Sequence, residues 1–104
     1  MSVPVFFRDA ASEDVQQAQA WYEQRQSGLG QRFTESLKLV VTLISEHPLA
    51  CAVVYRGLRR ALLPGFPYAL FYLVGEDCIR VLACLHQHRG PEALATRVGG
   101  QGDV

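Results

Sequence analysis

The stretch RRALLPGFPYALFYLVGEDCIRVLACLH, residues 59–86, decides the fold. Apolar, β-branched and aromatic residues fill its runs, and the interruptions PGFP (64–67) and GEDC (75–78) carry the glycine, proline and acidic residues that turn a chain. Strands are expected at 53–63, 68–74 and 79–86, joined as an antiparallel meander. The last two are apolar on both faces, as in strands covered on both sides, or covered on one side and docked by a partner on the other. If each hairpin closes symmetrically about its loop, Leu63 faces Tyr68 and Val74 faces Ile79. One sheet face then carries Arg59, Ala61, Leu63, Leu70, Tyr72, Val81, Ala83 and Leu85. The other carries Arg60, Leu62, Ala69, Phe71, Leu73, Arg80, Leu82, Cys84, His86 and His88.

Working outward, VPVFFR predicts a strand at 3–8. Ser12 followed by Glu13 and Asp14 reads as a helix start, the hydroxyl accepting an orphan N–H and the acids suiting the helix dipole. This first helix is expected over 13–26, and SGLG (27–30) breaks it. Phe33, Leu37, Val40, Val41 and Ile44 make one apolar stripe on a second helix, which Pro48 ends. Two helices joined by a short glycine turn form an αα-hairpin that must cover the sheet. PEALATRV (91–98) can add a last helical turn or two, with Pro91 at its first position, and GGQGDV (99–104) is expected to be disordered. The expected class is therefore α+β, in the order β-α-α-β-β-β(-α), with residues 1–98 as a single domain.

The bulk numbers exclude several functions. The 104 residues suit one domain, and 49% hydrophobic content with 19% charge excludes disorder. Zero net charge gives no global attraction to nucleic acid or anionic membrane. The halves differ, however. Residues 1–52 carry −2, and residues 53–104 carry +2 with all their cations arginine, the side chain suited to carboxylate and phosphate. Cys51, Cys78 and Cys84 are an odd count without CxxC spacing, which argues against a disulfide framework and a zinc site and fits a reducing cytoplasm. The N-terminus has no basic segment followed by a long apolar one, and no apolar run is long enough for a bilayer, so neither export nor membrane insertion is expected. No cofactor and no metal are expected.

Taken together, AASEDVQQAQAWYEQRQSGLGQRF (10–33), Pro48, RRALLPGFPYALFYLV (59–74), IRVLACLHQHRGPE (79–92) and Arg97 resemble the RelE/ParE superfamily of type II toxin–antitoxin toxins, also called plasmid stabilisation proteins. The resemblance runs nearly end to end and implies the same element order. It also implies a cognate antitoxin, usually acidic, and one of two activities. RelE-like members cut messenger RNA, usually on the ribosome. ParE-like members poison DNA gyrase through protein binding.

Metal-free RNA cleavage needs a base for the 2′-OH, an acid for the leaving oxygen and cations for the phosphorane charge. His86, His88 and Arg89 are the candidates, since imidazoles titrate at about 6.5 and Arg89 matches the family's basic strand-end position. His86 and His88 share a face as i and i+2 on a strand. Arg80 lies six residues before His86, on the order of 20 Å along one strand, so one phosphate cannot touch both. RelE-like nucleases resemble one another in an arginine after the tyrosine of the PY strand; here that residue is Ala69. The segment after Arg89 also lacks Tyr, His and Lys. The ParE-like reading is therefore favoured, with gyrase as target and no catalytic residue. Its expected antitoxin- or target-binding surface is an apolar groove of Phe71, Leu73 and Leu82 rimmed by Arg60, Arg80 and His86, with His88 and Arg89 at the strand end. An inactive homologue that only binds its antitoxin in a repressor complex is the third possibility. Trp21 and Tyr22 are read as packing residues and His47 as a helix-end cation.

Overall fold

The computed structural model describes residues 2–89 and 91–101. Its elements are β1 (Val5–Phe7), α1 (Asp9–Arg25), α2 (Leu29–Glu46), β2 (Val53–Tyr55), β3 (Leu58–Leu62), β4 (Tyr68–Val74), β5 (Ile79–His86) and α3 (Pro91–Gln101). The five strands form one sheet in the order β1-β5-β4-β3-β2. β1 runs parallel to β5, and the other pairs are antiparallel. The fold is α+β, as expected, with α1 and α2 on one face of the sheet and α3 on the other.

Residues 53–63 are not one strand. They fold back at Arg56–Gly57 into the β2–β3 hairpin, in which Tyr55 pairs with Leu58. Both loop residues are left-handed, Arg56 at φ 44° and Gly57 at φ 83°, which is what a two-residue hairpin of the primed type requires. Gly57 carried that signal in the sequence; an arginine with positive φ did not.

α1 starts four residues before the expected position. Arg8 is its N-cap, in an extended conformation and without a side-chain cap. The Arg8 N–H donates to the Val81 carbonyl at 2.9 Å, and Ser12 already donates its own N–H to the Arg8 carbonyl at 3.0 Å. Pairing with β5 thus fixes where the extended chain ends, and the helix begins on the next residue. Ser12 is an interior helix residue. At the other end α3 extends through 99–101, which were expected in a disordered tail; residues 102–104 lie outside the described residues.

The turn between α1 and α2 is held from α1. Both Glu23 carboxylate oxygens accept the Gly28 N–H at 3.1 Å, and Oε1 also accepts the Gly30 N–H at 3.0 Å. Glu23 therefore supplies what the N-cap of α2, Gly28 at φ 93°, cannot. A Cβ on Gly30 would sit 2.9 Å from Glu23 Oε1 and 3.1 Å from the Gln19 carbonyl, so this glycine sets how closely the helices approach. Phe33 then reaches an aromatic cluster with Tyr22, Phe66 and Tyr68 at ring distances of 5.5, 5.2 and 5.4 Å. The FPY turn is thereby plugged into the helical hairpin.

Both hairpin registers agree with symmetric closure. The Leu63 N–H meets the Tyr68 carbonyl at 2.9 Å, and Val74 pairs with Ile79. Between them, however, Phe71 pairs with Ala83 while Tyr72 pairs with Val81, so Leu82 is one extra residue in β5. This β-bulge reverses the facing of everything after it. Cys84 joins the helix-side core, and His86 pairs with the inward-facing Tyr68. Ala83 and Leu85 join Leu82 in the outer core. The expected assignment of Ala83, Leu85, Cys84 and His86 to faces is therefore inverted, because one inserted residue exchanges the two sides of a strand.

The bulge also leaves backbone groups to satisfy, since β1 has ended at Phe7. Asp14 Oδ2 accepts the Cys84 N–H at 3.0 Å, and Arg97 of α3 donates to the Leu82 carbonyl at 2.9 Å. The two side chains join through a bidentate pair at 2.7 and 2.8 Å. Helix α3 is thus clamped across the outer face, where Leu94 packs with Ala69, Phe71, Leu82 and Leu85.

Two outcomes follow. Gly30→Ala lowers stability by about 1–3 kcal/mol through overpacking against the Gln19 backbone, read as a reduced urea midpoint. Asp14→Ala leaves the Arg97 charge and the Cys84 N–H unpartnered and costs about 2–4 kcal/mol. Hydrogen exchange in this variant is expected to accelerate first in α3; unchanged α3 protection would contradict the clamp.

Candidate binding cleft at the strand ends

Where β4 begins and β5 ends, a cleft lies between the sheet and α1. The last ladder bond runs from the Gln87 N–H to the Pro67 carbonyl at 2.8 Å, and a turn then brings the Arg89 N–H to the His86 carbonyl at 2.9 Å. One wall is the α1 face carrying Asp14, Gln17, Ala18, Trp21 and Tyr22, residues spaced to share one side of a helix. The other wall holds Pro67, Tyr68, Cys84, Leu85, His86 and Arg89. The volume is about 550 Å³, within the range of small-ligand and side-chain pockets.

His86 reaches this cleft only because of the bulge. Its ring meets Tyr68 edge-on at 5.5 Å and stacks with His88 at 5.0 Å. The His88 backbone N–H donates to His86 Nδ1 at 3.2 Å, so the neutral ring carries its hydrogen on Nε2. Burial raises the phenol pKa of Tyr68, with the nearby Cys84 and Asp14 adding and Arg89 opposing, and burial likewise raises Tyr22. Both phenols are neutral donors at physiological pH. Burial, with Asp14 adding, pushes the Cys84 thiol up to about 12, so it is a packing group and no nucleophile. Asp14 is the one acid among the lining residues, and Arg97 neutralises it at 2.7 Å. The free charge of the cleft is therefore that of Arg89.

The expected groove is not assembled as one surface. Phe71 and Leu82 are 5% and 1% exposed, buried with Leu94 of α3. Leu73 is half-buried, and Arg60 and Arg80 are exposed. Arg60 pairs with Phe71 and Arg80 with Leu73, which puts both arginines on the outer face. His86 lies on the opposite face and cannot rim the same groove as Arg60 and Arg80. His86, His88 and Arg89 do come together, at the cleft. The helix wall and Tyr68 were not expected there. Trp21, read as a packing residue, is 49% exposed at the mouth with Arg25 4.5 Å above its ring; nothing in its helical spacing separates a core tryptophan from a cleft one. His47 is the C-cap of α2, its backbone N–H donating to the Leu43 carbonyl at 2.8 Å. Among the described residues, no group of three or more His, Cys, Asp or Glu is placed to hold a metal, and no helix is long and apolar enough to cross a membrane.

Three comparisons bear on this architecture. No match is found among curated proteins. A solved structure described as the chromosomal ParDE TA system from P. aeruginosa superposes with a TM-score of 0.72, covering 82% of this chain and 96% of that one. At 13% identity this likeness establishes the fold alone. The sequence itself matches the family described as ParE toxin of type II toxin-antitoxin system, parDE, over residues 5–91. That match runs from the first residue of β1 to the first of α3, across the helical hairpin, the sheet and the strand-end turn, and by it the chain belongs to the ParE toxin family of type II toxin–antitoxin systems.

Proposed function

We propose that this ParE-type toxin arrests growth by binding DNA gyrase in the cytoplasm, and that a cognate antitoxin neutralises it by covering its partner-binding surface. The observation that carries this reading is the family match across residues 5–91. The chemistry of the sheet agrees with it. Ala69, where RelE-like nucleases resemble one another in an arginine, is fully buried and belongs to the outer core, away from His86. A cation at that position would point away from the imidazoles and give no help to a phosphate held beside them. Protein binding, by contrast, needs only exposed anchors and charges, and two surfaces offer them. One is the cleft, with His86, His88 and Arg89. The other is the part of the outer face left beside α3, where Arg60 and Arg80 flank Leu73. Phe71 and Leu82 contribute by supporting α3 rather than by direct contact.

One observation favours the second reading, a RelE-like ribosome-dependent endonuclease: His86, His88 and Arg89 are adjacent, and attack of the 2′-OH on phosphorus with departure of the 5′ oxygen could use two imidazoles and a guanidinium. His86 Nδ1 is already occupied by the His88 N–H, which leaves Nε2 as the nitrogen able to move a proton.

The readings separate in two assays. The purified toxin is expected to suppress gyrase supercoiling of relaxed plasmid while ribosome-bound messenger stays intact; cut transcripts with untouched supercoiling would reverse the assignment. Under the gyrase reading, His86→Ala combined with His88→Ala weakens arrest only as far as it weakens gyrase binding, because no proton transfer is required. Arrest lost while gyrase binding stays at the wild-type level would instead make the imidazoles an acid–base pair.

A further inference from the structure

We propose that the free toxin pairs with a second copy of itself along the flank where α2 lies beside the open edge of β3, antiparallel about a two-fold axis that passes near Leu39 and Leu62. The pairing involves neither target nor antitoxin and leaves the cleft beside α1 open.

β2 accompanies β3 only part of the way, ending where the Arg60 N–H donates to the Ala52 carbonyl at 3.2 Å. The Leu63 N–H bonds to β4, so the N–H and carbonyl of Leu62, one residue earlier, point the other way, past the end of β2. Among the described residues no strand pairs with that side of Leu62. An open edge is a template for another chain, but Pro64 follows closely and has no N–H. The edge therefore admits one exchange of backbone hydrogen bonds, Leu62 with Leu62 of the second copy, and side chains must supply the rest.

α2 supplies them. Ser36, Leu39 and Leu43 share one side of this helix. The Ser36 hydroxyl donates to the Pro64 carbonyl at 2.7 Å, which turns that side toward the edge of β3. At its far end the Tyr72 hydroxyl, level with Arg59, donates to the Pro48 carbonyl at 3.0 Å. Helix and strand thus run side by side in opposite directions, and Leu39, about one turn from Ser36, stands level with Leu62. Ser36 is buried, yet Leu39 is 65% and Leu43 45% exposed, because β2 does not reach this level to cover them. Leu62 is 55% exposed, and Leu49 and Val53 continue the strip at the Arg59 end, where Arg59 donates to the Leu49 carbonyl and pairs with Val53. Side chains of this size, about half to two-thirds exposed, leave roughly 100 Å² each in water, so the flank carries roughly 500 Å² of apolar surface, near the upper end for a monomer. A symmetric pair hides up to about twice that, which reaches the size of a specific interface before polar contacts are counted.

The charges fix the orientation. Arg32 lies two helical turns before Leu39 and Glu46 two turns after it, on the same side of α2. In an antiparallel pair of α2 helices centred on Leu39, each Arg32 therefore faces Glu46 of the second copy. Both residues are exposed, and neither has an opposite charge within salt-bridge distance among the described residues. A parallel pair would set arginine against arginine and glutamate against glutamate. A surface that complements itself about an axis is what a two-fold dimer uses, and zero net charge adds no general repulsion between the copies.

Sedimentation velocity of the purified full-length toxin is expected to show a species of twice the 11.5 kDa chain mass that dissociates on dilution. Leu39→Glu is expected to raise the dimer Kd tenfold or more, with circular dichroism unchanged because Leu39 is exposed in the single chain. Arg32→Glu alone is expected to raise it about tenfold, and Arg32→Glu with Glu46→Arg to return it to within about twofold of wild type. That rescue is specific to the antiparallel register. Phe6→Glu, on the distant β1 edge, leaves the Kd within about twofold. A toxin that stays monomeric up to millimolar concentration would overturn the proposal, as would a dimer that Leu39→Glu leaves intact. A charge-exchanged variant that fails to regain affinity would overturn the antiparallel pairing. A monomeric toxin in which Leu39→Glu instead weakens antitoxin binding would assign the flank to the antitoxin and defeat self-association.

Discussion

Asp14 and Arg97 join α1, β5 and α3 through one set of hydrogen bonds. The extra residue Leu82 leaves β5 with a carbonyl and, two residues on, an N–H facing an edge where β1 has already stopped. Unpaired backbone groups at a partly buried edge are costly, and side chains from α1 and α3 take the place of the missing strand. Because the same two side chains also bind each other, the helix layer, the bulged strand and the terminal helix share one hydrogen-bonded node. The guanidinium fork suits this position, since it can bind a carboxylate with both arms and still reach a carbonyl. The node raises the already high pKa of Arg97 further, through its hydrogen bonds to Asp14, so the guanidinium stays charged throughout the physiological range.

The bulge has a second effect, on where the strand-end side chains lie. It carries His86 from the face of the sheet that α3 covers to the face that α1 borders. The strand-end polar residues are thereby brought beside Trp21 and Tyr68 instead of beside Arg60 and Arg80. One sheet then offers two separate surfaces: an aromatic, positively rimmed cleft on the helix side, and an arginine-flanked strip beside α3 on the other. Asp14 is common to both, as it lines the cleft and anchors α3.

The αα-hairpin shows how local and distant requirements divide. Gly28 is needed for its own φ of 93°, a demand any glycine-rich break announces. Gly30 is needed because Glu23 and the Gln19 carbonyl lie where its Cβ would be, a demand that exists only once the helices are packed. Glu23, exposed on α1, is the group that closes the turn.

The amino-acid sequence by itself determined the class of the fold, the amphipathic second helix, the loops at 64–67 and 75–78 and both hairpin registers. Each of these follows from periodicity and turn chemistry within a few residues of chain. It also brought together His86, His88 and Arg89, since neighbours in sequence at a strand end remain neighbours in space. Only the tertiary structure decided that 53–63 doubles back, that α1 begins at Asp9, and on which face His86 lies. It alone joined Asp14 to Arg97 across 83 positions and set Trp21 opposite Tyr68. The physical reason is common to all of these: a bulge, a strand end and a long-range ion pair are fixed by which backbone groups remain unpaired after the layers have packed, and no local pattern records that remainder.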